Sequence, residues 1–87
     1  MYTAELTKQL QKETSQWLSL KEESNINKKI AGEIEGLRNV LRFHEYRYYV
    51  QNDPIISDFE YDTLYKLLEK FEQDNPGTVT KDSPTQR

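Results

Sequence analysis

The sequence predicts an all-α fold: a small hairpin or bundle of about three helices with an irregular C-terminal tail. Apolar residues recur three and four positions apart in three stretches, and no stretch shows the period of two that a half-buried strand requires. Breaks rich in Asn, Pro and Gly separate these stretches. Residues 1–30 read as an N-terminal helical extension, 31–77 as the helical domain proper and 78–87 as a linker.

The first helix is expected from about Thr3 to Glu23, with Leu6, Leu10, Trp17 and Leu20 on one stripe. Glu13 and Thr14 fill the turn between Leu10 and Trp17, so the stripe is sparse and the helix must lean on a neighbour. Ser24, Asn25 and Asn27 interrupt it as a linker or as a cap for the next helix.

The second helix has the clearest pattern. Ile26, Ile30, Ile34, Leu37, Leu41, His44 and Tyr48 follow alternating four- and three-residue spacings on one face. Gly32 and Gly36, one turn apart, suit either close approach of a neighbouring helix or neutral surface positions, the first being favoured. The helix is expected to end near Asn52, because Asp53-Pro54 pushes the chain out of the α region.

Ser57 and Glu60 form a capping-box signature that opens the third helix. This helix is expected to bury Phe59, Leu64, Leu67, Leu68 and Phe71 and to stop before Asn75-Pro76-Gly77. The tail from Thr78 to Arg87 has no apolar periodicity.

Composition narrows the function classes. Hydrophobic residues are 34% of the 87 and charged residues 31%, so the chain can build one thin core. No segment approaches the ~18 apolar residues of a membrane span, and without cysteine there is no disulfide framework, thiolate metal site or cysteine nucleophile. These features fit a reducing cytoplasm. The net charge is −3: residues 1–56 balance eight basic against eight acidic residues, whereas 57–87 hold four against seven. A domain that gripped nucleic acid by itself would carry a basic excess.

Seven of the ten aromatic residues lie between Phe43 and Tyr65. Tyr48 continues the apolar stripe of the second helix, while Tyr46 and Tyr49 point away from it. Asp58, Tyr61 and Asp62 are neighbours on one face of the third helix's first turn. Taken singly these are ordinary features, since acidic residues favour helix N-termini and tyrosines favour core edges. Taken together they set aromatic faces beside carboxylates. That pairing suits a flat, cationic, hydroxyl-bearing ligand such as the nicotinamide riboside half of oxidised NAD.

His44, the single histidine, lies on the apolar stripe and reads as a packed, hydrogen-bonded residue. Arg38 and Arg42 are expected to form surface pairs with Glu35 and Glu45 rather than to hold a phosphate. A metal held by Glu45, Asp58 and Asp62 is conceivable on ligand type alone.

The segments His44-Glu45-Tyr46-Arg47-Tyr48-Tyr49-Val50, Asp53-Pro54, Ile56-Ser57-Asp58, Glu60-Tyr61-Asp62 and Asp82-Ser83-Pro84-Thr85-Gln86-Arg87 closely resemble the N-terminal domain of bacterial NAD-dependent DNA ligases. The resemblance covers about residues 33–87. It implies a helical domain, residues 31–77 here, that captures the nicotinamide mononucleotide (NMN) end of NAD and closes over an adenylation domain of the same polypeptide. A lysine there attacks the α-phosphate, NMN leaves, and AMP passes to the 5′-phosphate of nicked DNA. Tyr48 and Tyr61 look like the rings that pack on nicotinamide, Asp58 and Asp62 like its polar anchors, and Tyr49 like a further contact. Phe59 reads as core.

The resemblance implies no catalytic residue and no magnesium held within this chain, magnesium belonging to the complete enzyme. It implies that DNA is met only through the complete enzyme, that no membrane is involved, and that residues 78–87 lead into the adenylation domain. Two departures are about thirty extra N-terminal residues and an end at Thr85-Gln86-Arg87, without a Lys-x-Asp-Gly motif. The chain is therefore expected to be a ligase fragment, inactive alone. The alternative is a non-enzymatic helical module that completes its core by pairing with a partner protein.

Overall fold

The computed structural model describes residues 2–20, 22–81 and 83–86; Asp82 and Arg87 of the last motif lie outside them, as do Met1 and Lys21. Among the described residues the elements are three α-helices, α1 (Ala4–Ser19), α2 (Glu23–Tyr49) and α3 (Asp58–Asp74), followed by one-turn 3-10 helices at Pro76–Thr78 and Pro84–Gln86. The all-α class is as the spacing predicts.

The Thr3 hydroxyl caps α1 by accepting from the Leu6 amide. Leu10, Thr14 and Trp17 are its buried residues. The sparse turn noted in the sequence is thus part of the buried face: Thr14 occupies it and donates its hydroxyl to the Leu10 carbonyl at 2.6 Å. The helix stops at Ser19, earlier than expected, where Leu20 is extended and its amide closes on the Trp17 carbonyl. Lys29 of α2 sits 4.8 Å from the Trp17 ring centroid, so α1 lies along the start of α2 with a cation over its largest side chain.

Ile30, Leu37, Val40, Leu41 and Phe43 of α2 are fully buried, as are Leu64 and Leu68 of α3. The helix is not straight. Glu33 leaves the helical region at φ −136° and ψ 34°, beside Gly32 and three residues before Gly36, residues that hold a helix weakly. A Cβ at Gly36 would stand 3.5 Å from Glu13 Oε1, an ordinary contact, and one at Gly32 would meet nothing. Close helix approach therefore does not require either glycine, and weakening of the helix at the kink accounts for them better. At its other end α2 stops at Tyr49 rather than Asn52. Asn52 takes a left-handed φ of 50°, and the Asp53 amide donates to the Arg47 carbonyl at 2.8 Å.

The capping box forms as the sequence predicts, with Ser57 and Glu60 bonded reciprocally. Leu64, Leu68 and Glu72 follow as the buried residues of α3, with Leu67 and Phe71 half-buried. Phe59 is a correction: it is 80% exposed. Five residues before Leu64, it points about 140° away from the buried face.

The tail is irregular yet pinned. Glu72 receives hydrogen bonds from Arg38 at 2.8 Å, from Ser83 at 2.7 Å and from Thr85, and Arg38 also reaches the Thr78 carbonyl and Glu35. Ser83 and Pro84 are buried. Arg38 is therefore not the surface residue that its spacing suggested; only Arg42, bonded to Asn39 and 3.8 Å from Glu35, stays near solvent. Burial alone would raise the Glu72 carboxyl, but the Thr85, Arg38 and Ser83 bonds outweigh it and hold the pKa below its usual range. No helix among the described residues is long and apolar enough to cross a membrane.

Removing one partner of a buried ion pair leaves the other uncompensated. Glu72→Ala is expected to cost about 3 kcal/mol in urea unfolding, whereas Glu35→Ala, at the exposed end of the same cluster, should cost under about 1 kcal/mol.

Candidate functional site

The last turns of α2 and the first turn of α3 face each other across a cavity of about 380 Å³. From α2 come His44, Glu45, Tyr48 and Tyr49, from the connecting turn Pro54, Ile55 and Ile56, and from α3 Ser57, Asp58, Tyr61 and Asp62. All five residues singled out in the sequence (Tyr48, Tyr49, Asp58, Tyr61 and Asp62) therefore lie on one cleft. The reason is periodicity on each side. Residues 44, 45, 48 and 49 are one helical turn apart, residues 58, 61 and 62 are another such set, and the turn 50–57 opposes them.

Arg47 organises that turn. Its Nε donates to the Asp53 carbonyl at 3.1 Å, one terminal nitrogen to the Asp53 carboxylate at 2.7 Å and the other to Gln51 at 2.9 Å.

Tyr49 is exposed as expected, but two tyrosines sit differently from their expected faces. Tyr48 is 48% exposed on the cleft instead of buried in the core, its ring 4.9 Å from that of Tyr49 in an edge-on pair. Tyr46, expected to face outward, is half-buried, because Tyr2 packs on it at 5.2 Å while also meeting Phe43 at 5.1 Å. The segment before α1 thus covers a face of α2 that the spacing of α2 alone would leave to solvent.

Tyr61 is half-buried, and its hydroxyl donates to Glu45 Oε2 at 2.9 Å. Burial first, and the Glu45 carboxylate second, push the phenol well above its ordinary pKa, so it stays a neutral donor. Asp58 and Asp62 are exposed at the rim, and Asp62 pairs with Lys66 at 3.0 Å on the solvent side.

In the sequence Glu45 reads only as a surface partner of arginine or a metal ligand. Its position three and four residues before Tyr48 and Tyr49 was the signal that it belongs with the cleft. No group of three or more His, Asp or Glu among the described residues is arranged to hold a metal ion, so Glu45, Asp58 and Asp62 share a cavity without forming a metal site.

His44 forms the back wall and is 4% exposed. Its Nε2 lies 2.9 Å from Thr14 Oγ1. The Thr14 hydroxyl already donates its one proton to the Leu10 carbonyl, so the imidazole must be the donor here, and Nδ1 is left bare. Nδ1 is buried without a hydrogen-bond partner among the described residues. Burial, reinforced by Arg47 and opposed by Glu60, pushes the His44 pKa down to about 4, so the ring is neutral at pH 7. Among the described residues the cavity is thus lined by three carboxylates, three tyrosines and a neutral imidazole, with no lysine or arginine. Such a surface favours a cation with aromatic faces and hydrogen-bond donors.

Residues 27–87 match the family described as DNA ligase-like, N-terminal NAD+-binding domain. Over all 87 residues the chain is 48% identical to the DNA ligase of Sulfurihydrogenibium azorense, and the DNA ligase of Aquifex aeolicus is 41% identical over a 92-residue alignment that also covers the whole chain. The DNA ligase of Acetivibrio thermocellus is 59% identical over 51 residues, which are 59% of this chain and 8% of that protein. The chain spans about 12% of the length of the first two relatives. Because those alignments run through α1, the N-terminal helix has counterparts in relatives and is no oddity of this chain. No solved structure matches it. The alternative of a non-enzymatic interaction module is not favoured by this match.

The buried imidazole makes stability depend on pH. The unfolded ring takes up a proton near 6.5 and the folded one only near 4. The unfolded state therefore binds more protons between these values, and the contribution, complete above pH 6.5, is lost as pH falls to 4. Urea unfolding is expected to show a loss approaching about 3 kcal/mol across that window, and His44→Gln is expected to remove it.

Proposed function

The chain belongs to the DNA ligase-like, N-terminal NAD+-binding domain family, and from that premise we propose that its corner cleft takes the NMN half of NAD in the first step of DNA nick sealing. The observation that carries this reading is the convergence of Tyr48, Tyr49 and Tyr61 with Asp58 and Asp62 on one cavity that, among the described residues, no lysine or arginine lines. Tyr48 and Tyr61 present ring faces to the pyridinium. Asp58 and Asp62 accept hydrogen bonds from the carboxamide N–H and the ribose hydroxyls. Tyr49, the most exposed of the three, serves as a further contact at the rim.

In this reading the domain supplies position rather than chemistry. It holds NMN so that the phosphoanhydride P–O bond lies in line with a lysine brought by an adenylation domain of the same polypeptide. As the P–N bond to lysine forms, that P–O bond breaks and NMN departs with the electron pair. Closing the two domains on NAD excludes water and strengthens the charge interactions inside. The cleft is needed in this step alone, because later steps carry AMP without NMN. Magnesium would belong to the complete enzyme. Nicked DNA would be met by the complete enzyme, working in the cytoplasm, and this chain alone would not catalyse.

In the complete ligase, Tyr61→Ala and Asp62→Ala are each expected to reduce self-adenylation by NAD at least about a hundredfold, the loss of two or more directed contacts. Sealing of a nick that already carries AMP is expected to stay within about twofold of the parent enzyme. Equal losses in the two assays would refute the assignment.

A further inference from the structure

Three carboxylates line the cleft, but they are not equivalent. Asp58 and Asp62 stand exposed at the rim, whereas Glu45 is 9% exposed and lies behind Tyr61, from whose hydroxyl it accepts a hydrogen bond at 2.9 Å. That bond joins the last turns of α2 to the first turn of α3 and anchors the outer end of the Tyr61 ring. With a carboxylate as acceptor, the bond is of the charge-assisted kind. Drawing the phenolic proton toward a carboxylate leaves more negative charge on the ring, and it is the negative face of an aromatic ring that attracts a cation.

Three basic groups near the cleft do not oppose this attraction. Arg47, the nearest arginine in sequence, is turned into the loop by Asp53 and Gln51, and Lys66 pairs with Asp62 on the solvent side. His44, the remaining basic group on the cavity, is neutral because it is buried.

The oxidised nicotinamide ring carries a positive charge; the reduced ring has gained a hydride and is neutral, at nearly the same size. A cleft that separates the two must do so by charge, because shape offers little difference. We infer that Glu45 is a positioning residue that, acting through Tyr61, makes the cleft select the oxidised, positively charged nicotinamide ring over its neutral reduced form. This inference rests on the proposed NMN site.

The test uses the complete ligase, with NAD as the substrate of self-adenylation and NADH as its competitor, and reads the ratio of the NADH inhibition constant to the KM for NAD. Glu45→Gln, which keeps the size and removes the charge, is expected to raise the KM for NAD and lower this ratio about tenfold, the scale of one partly desolvated cation–π contact. Tyr61→Phe keeps the ring, removes the link and is expected to do the same. The double variant is expected to lose no more than either single one, as for two groups acting as a unit. Sealing of a nick already carrying AMP should not change. Should Glu45→Gln fail to fold, Tyr61→Phe carries the same expectation.

A ratio that stays fixed while both constants rise together would show that Glu45 only supports the fold, and additive losses would show that it does not act through Tyr61; either result overturns the inference. If Tyr61→Ala leaves self-adenylation intact, the NMN site itself fails. Loss of self-adenylation in Tyr61→Ala with an unchanged ratio in Glu45→Gln overturns only the role given to Glu45.

Discussion

Arg47 ties together the turn on which the cleft depends. One planar guanidinium reaches the carbonyl and the carboxylate of Asp53 and the side chain of Gln51, and Asn52 beside it takes a left-handed conformation that asparagine tolerates better than most residues. On the far side the Ser57–Glu60 capping box starts α3 at a defined residue. The chain therefore reverses over residues 50–57 with both ends held, and the cavity is the space this reversal leaves between two helix ends. Its walls are helical, so side chains one turn apart keep their relative places through backbone hydrogen bonds.

The same arrangement accounts for the charge of the cleft. Asp58 and Glu60 lie in the first turn of α3, where the helix macrodipole stabilises acidic groups without a cationic partner. Glu45, buried on α2, is tied to Tyr61 of α3. Negative potential thus gathers at one corner of a chain whose net charge is only −3, while two arginines are engaged in structure: Arg38 in the core, Arg47 in the turn.

Two buried polar clusters join segments far apart in the chain. Thr14 and His44 connect α1 to the back wall of the cleft; Arg38, Glu72, Ser83 and Thr85 connect α2, α3 and the tail. Burying such groups is unfavourable unless each finds its partner. The bonds are therefore directional, and they fix how α1 and the tail sit on the helical pair more specifically than a thin apolar core could. Through Thr14, α1 also sets which nitrogen of His44 carries the proton.

Helix number, the capping box at Ser57 and the grouping of Tyr48, Tyr49, Asp58, Tyr61 and Asp62 could be read from the chain, because all depend on spacings within a helical turn or on a short reversal between two helices. The exposure of Phe59 was legible in principle from its angle to Leu64, although its apolar character argued the other way. What the tertiary structure alone decided involves partners thirty or more residues apart: Tyr2 covering Tyr46, Thr14 bonding His44, and Arg38 drawn inward by Glu72. The pairing of Glu45 with Tyr61, sixteen residues apart, belongs with them, since it awaits the turn between their helices. Helical periodicity states which side of a helix a residue occupies; which element packs against that side is set only when the helices meet.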